Sequence, residues 1–448
     1  MIDPEDLVGR IWARDPTVWT GRDEAKWLGW LDEPLRIPDS VDFVEEARAR
    51  FDEVVLLGMG GSSLAPEVFR RTFGVESFHV LDTTHPAAIR RLTDSLDLER
   101  TLFIASSKSG TTLETRSHLD YFWDKAGKRG GQFVAITDPG SELEALARER
   151  EFLSVASGEP TIGGRYSALS PFGVVPAAVM GVQLSRLRER AQAMVEACRG
   201  ADNPGLELGL LFGEGWREGR DKIAINPNPG GFGLWAEQLL AESTGKDGKG
   251  LVPAPEESAD GPDRQPGEVR VDDPYDLGAE FFRWEFATAV AGSILEINPF
   301  DQPNVQAAKD KTNEVLGRKG EPDVEPAGSL DELLGHAREG DYVCLQAFVD
   351  PAREPELEWL VDRARRETGC VVTHGLGPRY LHSTGQLHKG GPNTGLFVQV
   401  VDETGGELKI PGRPFGFARL IRAQAAGDYA SLQERGRRIV RVRLEEIG

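Results

Sequence analysis

The feature that most constrains the fold is a regular alternation of short apolar runs with amphipathic segments between residues 51 and 155. The apolar runs have the length of strands, and they lie at residues 54–57, 78–81, 102–105 and 133–137. The segments between them carry helical periodicity. This pattern is typical of a parallel sheet with helices on both faces, joined by right-handed crossovers. We therefore predict an α/β fold.

The rest of the chain repeats the pattern less regularly. Further strands are predicted at residues 222–226, 342–349, 370–373, 397–401 and 439–444. The Pro-rich and acidic segment 321–328 has the composition of a linker. We predict an N-terminal helical segment at 1–50, αβ domains at 51–185 and 186–320, and a smaller C-terminal α/β module at 321–448.

One turn between a strand and a helix is unusually rich in hydroxyl groups. In TLFIASSKSGTT, residues 101–112, an apolar run stops at a Ser- and Thr-rich segment, and an amphipathic pattern follows. Thr111 and Glu114 fit a capping box, which places a helix N-terminus inside the turn. Free backbone N–H groups and hydroxyls at such a point attract anions, above all phosphate. The alternative is an ordinary turn, because Ser and Thr cap helices of every kind.

A second turn has the same character. In VVLLGMGGSS, residues 54–63, a strand leads through glycines into a helical pattern, and Ser62 or Ser63 would cap that helix. Glycines let a backbone approach a ligand closely. The spacing fits neither a P-loop nor a dinucleotide fingerprint. Because the carboxyl ends of parallel strands lie at one edge of a sheet, the two turns predict a single phosphate site.

Four further residues are candidates for chemistry. Arg165 lies between glycines and a hydroxyl-rich segment, so it is either a surface side chain or a guanidinium open to an anion. Glu242 lies where an apolar helix opens into a loop; it is either solvated or a buried carboxylate whose raised pKa would suit a base. Gln302 and Lys309 are seven residues apart and share a helix face, which points either to solvent or into a cleft.

Composition narrows the function classes. The net charge of −21 disfavours nucleic acid or an anionic membrane as a partner. The cysteines, at 198, 344 and 370, have no metal-ligand spacing, and they fit reduced core thiols. His382 and His388 share a glycine-rich segment with no Cys or acidic partner, which disfavours a metal site. No apolar run approaches the roughly 20 residues of a membrane span, so we expect a cytoplasmic protein.

Five segments together resemble the phosphoglucose isomerase family. They are GMGGSSLAP, SKSGTTLET, GGRYSALS, AESTGKDGKG and FDQPNVQAAK, and they occur in the family's order between residues 58 and 309. The last segment departs from the family pattern at Asn304 and Gln306. The resemblance implies two sugar-isomerase domains, each with a parallel sheet flanked by helices, followed by the smaller C-terminal α/β module.

The resemblance also implies an activity and a set of roles. The activity is interconversion of glucose 6-phosphate and fructose 6-phosphate through a cis-enediol, a step of glycolysis and gluconeogenesis, without metal or cofactor. Arg165 would stabilise the enediolate, Glu242 would move the proton between C1 and C2, and Lys309 would assist ring opening. The remaining residues would bind substrate: Gly61, Ser62, Ser107, Lys108, Ser109, Thr112, Gly164 and Gln302. Two alternatives are an isomerase that also accepts mannose 6-phosphate and a non-catalytic sugar-phosphate sensor.

The ring-opening histidine departs from the family pattern. The family places it between the glutamate and the final lysine, whereas residues 243–308 contain no histidine. HKGGPN at His388 resembles the segment that carries it in some bacterial members, so we favour His388 over His382. It would reach the site from the C-terminal module, either within one chain or across the interface of an expected homodimer; otherwise ring opening relies on Lys309.

The two ends of the chain carry a further resemblance. The C-terminal module and the segment WARDPTVWTG are similar to the isomerase half of bacterial fusions of transaldolase with glucose-6-phosphate isomerase. No transaldolase half is present, and a separate transaldolase partner is unsupported. The partner we expect is a small sugar phosphate.

Overall fold

The structure, a computed structural model, describes residues 4–200, 202–303 and 305–446, and of residues 305–309 only the backbone. The helices are α1 Pro4–Trp12, α2 Val44–Arg50, α3 Leu64–Phe73, α4 Pro86–Ser95, α5 Leu113–Lys125, α6 Glu142–Glu149, α7 Pro171–Met180, α8 Leu184–Ala197, α9 Pro204–Arg217, α10 Gly233–Thr244, α11 Leu277–Ile294, α12 Val305–Gly317, α13 Leu330–Gly335, α14 Glu358–Thr368, α15 Gly385–Gly390 and α16 Phe417–Glu434. The strands are β1 Glu53–Leu57, β2 Phe78–Leu81, β3 Thr101–Ser106, β4 Phe133–Thr137, β5 Ser154–Ser157, β6 Lys222–Ile225, β7 Val252–Pro255, β8 Arg264–Pro266, β9 Tyr342–Phe348, β10 Val371–Leu376, β11 Gly395–Val401 and β12 Arg438–Arg443.

The first sheet confirms the predicted α/β fold. Its five strands run in the order β2-β1-β3-β4-β5, and every neighbouring pair is parallel. Alternate residues of a strand enter different hydrophobic clusters: Leu56 and Ile104 lie in one, and Val55 and Phe103 lie in the other. Because side chains alternate across a strand, both faces of the sheet are covered, as its near-continuous apolar strands predict.

Two smaller parallel sheets follow. One has the order β7-β6-β8, and the other has the order β10-β9-β11-β12. A single hydrophobic cluster contains Val252 and Ala254 of β7 together with Cys344 of β9 and Phe397 of β11. The C-terminal strands therefore share a core with the second sheet. The domain boundaries predicted from the sequence stay predictions. This cluster contains residues from both sides of the boundary at residue 320.

The Trp-rich N-terminal segment packs around α11. The Trp19 indole N–H donates to the carbonyl of Ala289, and Trp30 stacks at a tilt on Phe282 and on Tyr166. These rings brace the segment around Tyr166, whose neighbour Arg165 belongs to the site described below.

The cysteines are free and buried, in agreement with the predicted core thiols. Burial raises the pKa of the Cys344 thiol to about 12, so this thiol is unreactive near neutral pH. Among the described helices, none combines the length and the apolar character that crossing a membrane requires.

Candidate active site

The two hydroxyl-rich turns lie side by side, as predicted. They follow β1 and β3, which are neighbours in the sheet, and Leu57 is paired with Ala105 at the ends of the two strands. The glycine-rich turn needs Gly60, whose φ of +55 lies in the left-handed region. Both turns therefore open at the carboxyl edge of one sheet, where α/β proteins bind their ligands.

The predicted capping box in the turn after β3 is wrong. Helix α5 begins at Leu113 with Thr112 at its N-cap, and no side chain caps it. The Thr112 hydroxyl instead lies 2.9 Å from the Ser107 hydroxyl, which also accepts a hydrogen bond from the backbone N–H of Gly110 at 3.2 Å. Glu114, the other half of the proposed box, is directed to a different partner. The positive end of this helix is therefore open to a ligand.

The helix after the glycine-rich turn is also without a side-chain cap. Helix α3 begins at Leu64 with Ser63 at its N-cap, as predicted, but the Ser63 hydroxyl donates to the carbonyl of Gly60 at 3.3 Å. Ser62 is buried in the turn itself. Two helix N-termini without side-chain caps thus lie beside one another, an arrangement that favours a bound anion.

Two of the predicted phosphate ligands are held in other contacts. The Lys108 ammonium lies 2.5 Å from Asp138 Oδ2, and it also donates to the carbonyls of Glu159 and Pro160. Ser109 is exposed, and its hydroxyl bonds that of Thr111. Lys108 would have to leave this ion pair before its ammonium could bind a phosphate.

The GGRYS segment packs directly against the glycine-rich turn. A methyl group added at Gly61 would lie 2.0 Å from the carbonyl oxygen of Gly164, so the two backbones touch and only glycine fits. The Ser167 hydroxyl donates to the same Gly164 carbonyl at 2.5 Å. This contact carries Arg165, the next residue, to the edge of the predicted phosphate site.

Arg165 and Glu242 form a buried pair. Their side chains are 1% and 7% exposed, and Arg165 Nη1 lies 3.5 Å from Glu242 Oε1. The guanidinium is fixed by donating through Nε to the Ser243 hydroxyl at 2.7 Å, and through Nη2 to the carbonyls of Pro299 at 2.7 Å and Asp301 at 2.9 Å. Of the two alternatives left open for Glu242, the structure shows the buried one: its carboxylate is buried in the last turn of α10.

Sequence reasoning missed Gln238. It lies one turn before Glu242 on α10, and its amide N–H donates to Glu242 Oε2 at 2.9 Å. The same nitrogen lies 2.9 Å from the position of a methyl group added at Gly60. Its buried Oε1 finds no hydrogen-bond partner among the described residues. The spacing of four residues from Glu242 was the available signal, since it puts both side chains on one helix face.

Lys246 was missed as well. It is 2% exposed, and its ammonium donates to the carbonyl of Asn298 at 2.7 Å and to both the carbonyl and Oδ1 of Asp301 at 2.6 Å. Burial, together with the nearby charge of Arg165, lowers the pKa of Lys246 to about 8. In the sequence it is one lysine of a loop that contains two, and nothing local distinguishes it from Lys249.

His382 lies against the glycine-rich turn. A methyl group added at Gly60 would lie 2.6 Å from the carbonyl oxygen of His382. The His382 Nε2 lies 3.0 Å from Glu114 Oε1, which also accepts a hydrogen bond from Gln424 at 2.7 Å. The Thr84 hydroxyl in turn donates to Gln424 Oε1 at 2.7 Å. This series of bonds orients the imidazole, and it explains why Glu114 does not cap its own helix.

His388 lies in the core of the C-terminal strands instead. Gln346 Nε2 lies 3.1 Å from its Nδ1, Cys344 Sγ lies 3.5 Å from its Nε2, and the rings of Tyr380 and Phe397 pack against it. Burial holds the pKa of His388 well below its usual value. The described contacts bring His382 and not His388 to the glycine-rich turn. The preference for His388 over His382 stays a prediction, one that these contacts do not favour.

The segment before α12 differs from its prediction. The helix begins at Val305, and Gln302 precedes it and is exposed. Gln302 and Lys309 therefore do not share a helix face. The side chain of Lys309 lies outside the described residues, and its predicted role is not located. Asp301, one residue earlier, is anchored by Arg165 and Lys246.

Comparison with known proteins finds a family match in the first half of the chain. The phosphoglucose isomerase family model matches residues 36–201. This match confirms the resemblance read from the motifs, for a part of the chain that includes both turns and Arg165.

Relatives of the phosphoglucose isomerase family extend the match. The chain is 32% identical over 269 residues to "Glucose-6-phosphate isomerase" of Acaryochloris marina, covering 55% of this chain and 50% of that protein. It is 33% identical over 246 residues to "Probable glucose-6-phosphate isomerase" of Natronomonas pharaonis, covering 52% of this chain and 56% of that protein. The chain thus spans about half the length of these curated relatives.

A solved structure of the same kind shares the fold. The crystal structure of a glucose-6-phosphate isomerase from Chlamydia trachomatis is 21% identical, has a TM-score of 0.53, and covers 69% of this chain and 78% of that one. The predicted architecture of parallel sheets flanked by helices is confirmed.

Proposed function

We propose that this protein is a glucose-6-phosphate isomerase. It interconverts glucose 6-phosphate and fructose 6-phosphate through a cis-enediol, with Glu242 as the base. The observation that carries the proposal is the buried pair of Glu242 and Arg165, 3.5 Å apart, beside two helix N-termini that no side chain caps. The match of residues 36–201 to the phosphoglucose isomerase family supports it.

Substrate binding begins at the two turns. The backbone N–H groups at the starts of α3 and α5 and the hydroxyls of Ser62, Ser107 and Thr112 supply donors for a phosphate dianion. In a chain with a net charge of −21, such local donors are what allows an anionic substrate to enter. Binding at this fixed point places the sugar carbons toward Glu242 and Arg165.

Ring opening is assigned to His382. An acid or base that moves a proton between the ring oxygen and the C1 hydroxyl must be oriented, and Glu114 provides this by holding His382 Nε2. The imidazole Nδ1 is then the atom available to the sugar. This assignment replaces His388, and it uses one chain only.

Isomerisation follows at C1 and C2. Glu242 removes the proton from one carbon and returns it to the neighbouring carbon, while Arg165 stabilises the negative charge of the enediolate. Gln238 fixes the orientation of the carboxylate by donating to Oε2. Because Oε1 faces the guanidinium and Oε2 faces the amide, the carboxylate is held without rotation.

The first test is conversion of fructose 6-phosphate to glucose 6-phosphate by the purified chain in the presence of EDTA, read through a coupled dehydrogenase. We expect turnover, and we expect Glu242→Gln to lower kcat by about 10²- to 10⁴-fold, the usual contribution of a general base. Glu237→Gln, five positions earlier on α10 and without a contact to Arg165 among the described residues, is the matched control. Near-wild-type kcat in Glu242→Gln would refute the base assignment.

The outcome also separates the alternatives. A sugar-phosphate sensor would show a raised unfolding temperature with fructose 6-phosphate but no turnover. An isomerase of broader tolerance would also convert mannose 6-phosphate in the same assay. The homodimer and the cytoplasmic location stay predictions.

A further inference from the structure

Lys246 is a buried cation whose contacts lead to the proposed site. Its side chain is buried, and its ammonium donates three hydrogen bonds, to the carbonyls of Asn298 and Asp301 and to Asp301 Oδ1. Burying an ammonium is costly unless its hydrogen bonds are satisfied, and here all three protons have acceptors. A side chain held in this way resists displacement.

The same backbone segment also binds Arg165. The carbonyl of Asp301 accepts from Lys246 Nζ at 2.6 Å and from Arg165 Nη2 at 2.9 Å, and the carbonyl of Pro299 accepts from Arg165 Nη2 at 2.7 Å. Lys246 and Arg165 therefore both anchor the segment 298–301, through hydrogen bonds to the same carbonyl or to neighbouring carbonyls. If this segment moved, the guanidinium would lose two of the hydrogen bonds that hold it against Glu242.

We propose that Lys246 is a positioning residue: it fixes the carbonyls of segment 298–301, and through them it holds Arg165 in place for the enediolate. This inference rests on the proposed isomerase function. Lys246 touches no substrate atom in this scheme; it acts through Arg165. Its loss would therefore affect stabilisation of the transition state more than substrate binding.

The electrostatics give the inference a pH signature. The charged groups that face Lys246 are Arg165, which favours the neutral amine, and Asp301 and Glu242, which favour the ammonium. With a pKa of about 8 instead of the ordinary 10.5, Lys246 releases its proton as the pH rises through about 8. The neutral amine has one donor fewer and no charge, so its hydrogen bonds to the segment 298–301 weaken above that pH.

Lys249 offers a matched control in the same loop. Its ammonium donates to the carbonyl of Leu295 at 2.6 Å, just before the segment 298–301, and the carbonyl it binds is not shared with Arg165. Replacing either lysine by methionine removes one charge from the same region, together with the three hydrogen bonds of Lys246 or the hydrogen bond of Lys249 to Leu295. Only the replacement of Lys246 should disturb the position of Arg165.

The experiment measures kcat and KM for fructose 6-phosphate for the wild type, Lys246→Met, Lys246→Arg and Lys249→Met between about pH 6 and 10, a range centred on the lowered pKa of Lys246, about 8. For Lys246→Met we expect kcat to fall by about 10²-fold with little change in KM, the effect of a small misplacement of a catalytic group. Lys249→Met should keep the kcat of the wild type. Lys246→Arg should recover most of kcat, and it should move the fall in kcat above about pH 8 to higher pH, because a guanidinium keeps its proton there.

Several results would overturn the inference. Wild-type kcat in Lys246→Met would do so while leaving the proposed function intact. An equal loss of kcat in Lys249→Met would show a general effect of the loop. If Lys246→Met does not fold, an alkaline limb in Lys246→Arg identical to that of the wild type would overturn it. A wild-type chain without turnover would refute the proposed function itself, and this inference with it.

Discussion

Arg165, Glu242 and His382 are each held by another side chain, and the histidine shows this most clearly. His382 is oriented by Glu114, whereas His388 is enclosed by Cys344, Gln346 and two aromatic rings. A residue that performs proton transfer needs both an orienting partner and access to the substrate. Of the two histidines, His382 has the orienting carboxylate, and it lies against the glycine-rich turn.

This difference gives a test at single residues. We expect His382→Gln to lower kcat for fructose 6-phosphate by about 10²-fold or more, the contribution of one general acid or base. His388→Gln should lower the unfolding temperature with a smaller effect on kcat, because it disturbs a buried packing site. Steady-state kinetics and thermal unfolding of both variants decide; the reverse pattern would restore the original preference for His388.

At the scale of elements, the site depends on turns that touch through their backbones. The glycine-rich turn after β1 and the GGRYS segment are close enough that a methyl group at Gly61 would lie 2.0 Å from the Gly164 carbonyl. A backbone atom cannot move aside as a flexible side chain can, so the whole segment that carries Arg165 would have to shift.

We expect Gly61→Ala to lower kcat/KM by about 10²-fold, since a displacement of roughly 1 Å at a catalytic group has that effect. Gly163→Ala is the control: it lies in the same segment, and an added methyl group there meets nothing within 4 Å. The two variants are compared in the fructose 6-phosphate assay. Equal activities would show that the contact between the two turns does not position Arg165.

The elements also show what the sequence could and could not predict. The turns after β1 and β3 were located correctly because an apolar run followed by Gly or Ser is a local pattern. The capping box at Thr111 and Glu114 was wrong because Glu114 binds His382, which is 268 positions away. Gln302 was placed on a helix that begins only at Val305. Local patterns fix where a strand ends, but they do not reveal which distant partner a polar side chain chooses.

For the whole molecule, buried carboxyl groups make stability depend on pH. Burial raises the pKa of Glu33 from 4.5 to about 7, and it raises that of Glu285 well above 4.5. One oxygen of Glu285 has no hydrogen-bond partner among the described residues. The folded state holds these protons, whereas the unfolded chain releases them above about pH 4.5. The free energy of unfolding is therefore not lowered by these groups below that pH. For Glu33 it falls as the pH rises from there to about 7.

Glu33→Gln tests this sign. We expect the variant to unfold at a temperature about 2 °C higher than the wild type at pH 8, the shift that roughly 1 kcal/mol gives in a large domain. The difference should disappear near the pH at which an ordinary glutamate is protonated. Glu45→Gln, an exposed glutamate on α2, is the control and should leave the curve unchanged. A variant whose unfolding temperature keeps the wild-type pH dependence would contradict the assignment of a raised pKa to Glu33.

The bond between Glu114 and His382 also bears on how the molecule reaches its working state. The two residues are 268 positions apart in the chain, and Arg165 is separated from Asp301 by 136. Closing such long loops is slow, and domains made early in synthesis form before their late partners exist. A chain emerging from the ribosome would fold its first sheet long before it could turn over sugar. During refolding from denaturant, activity should return with the slowest phase, after the spectroscopic signal of the helices that flank the first sheet has recovered.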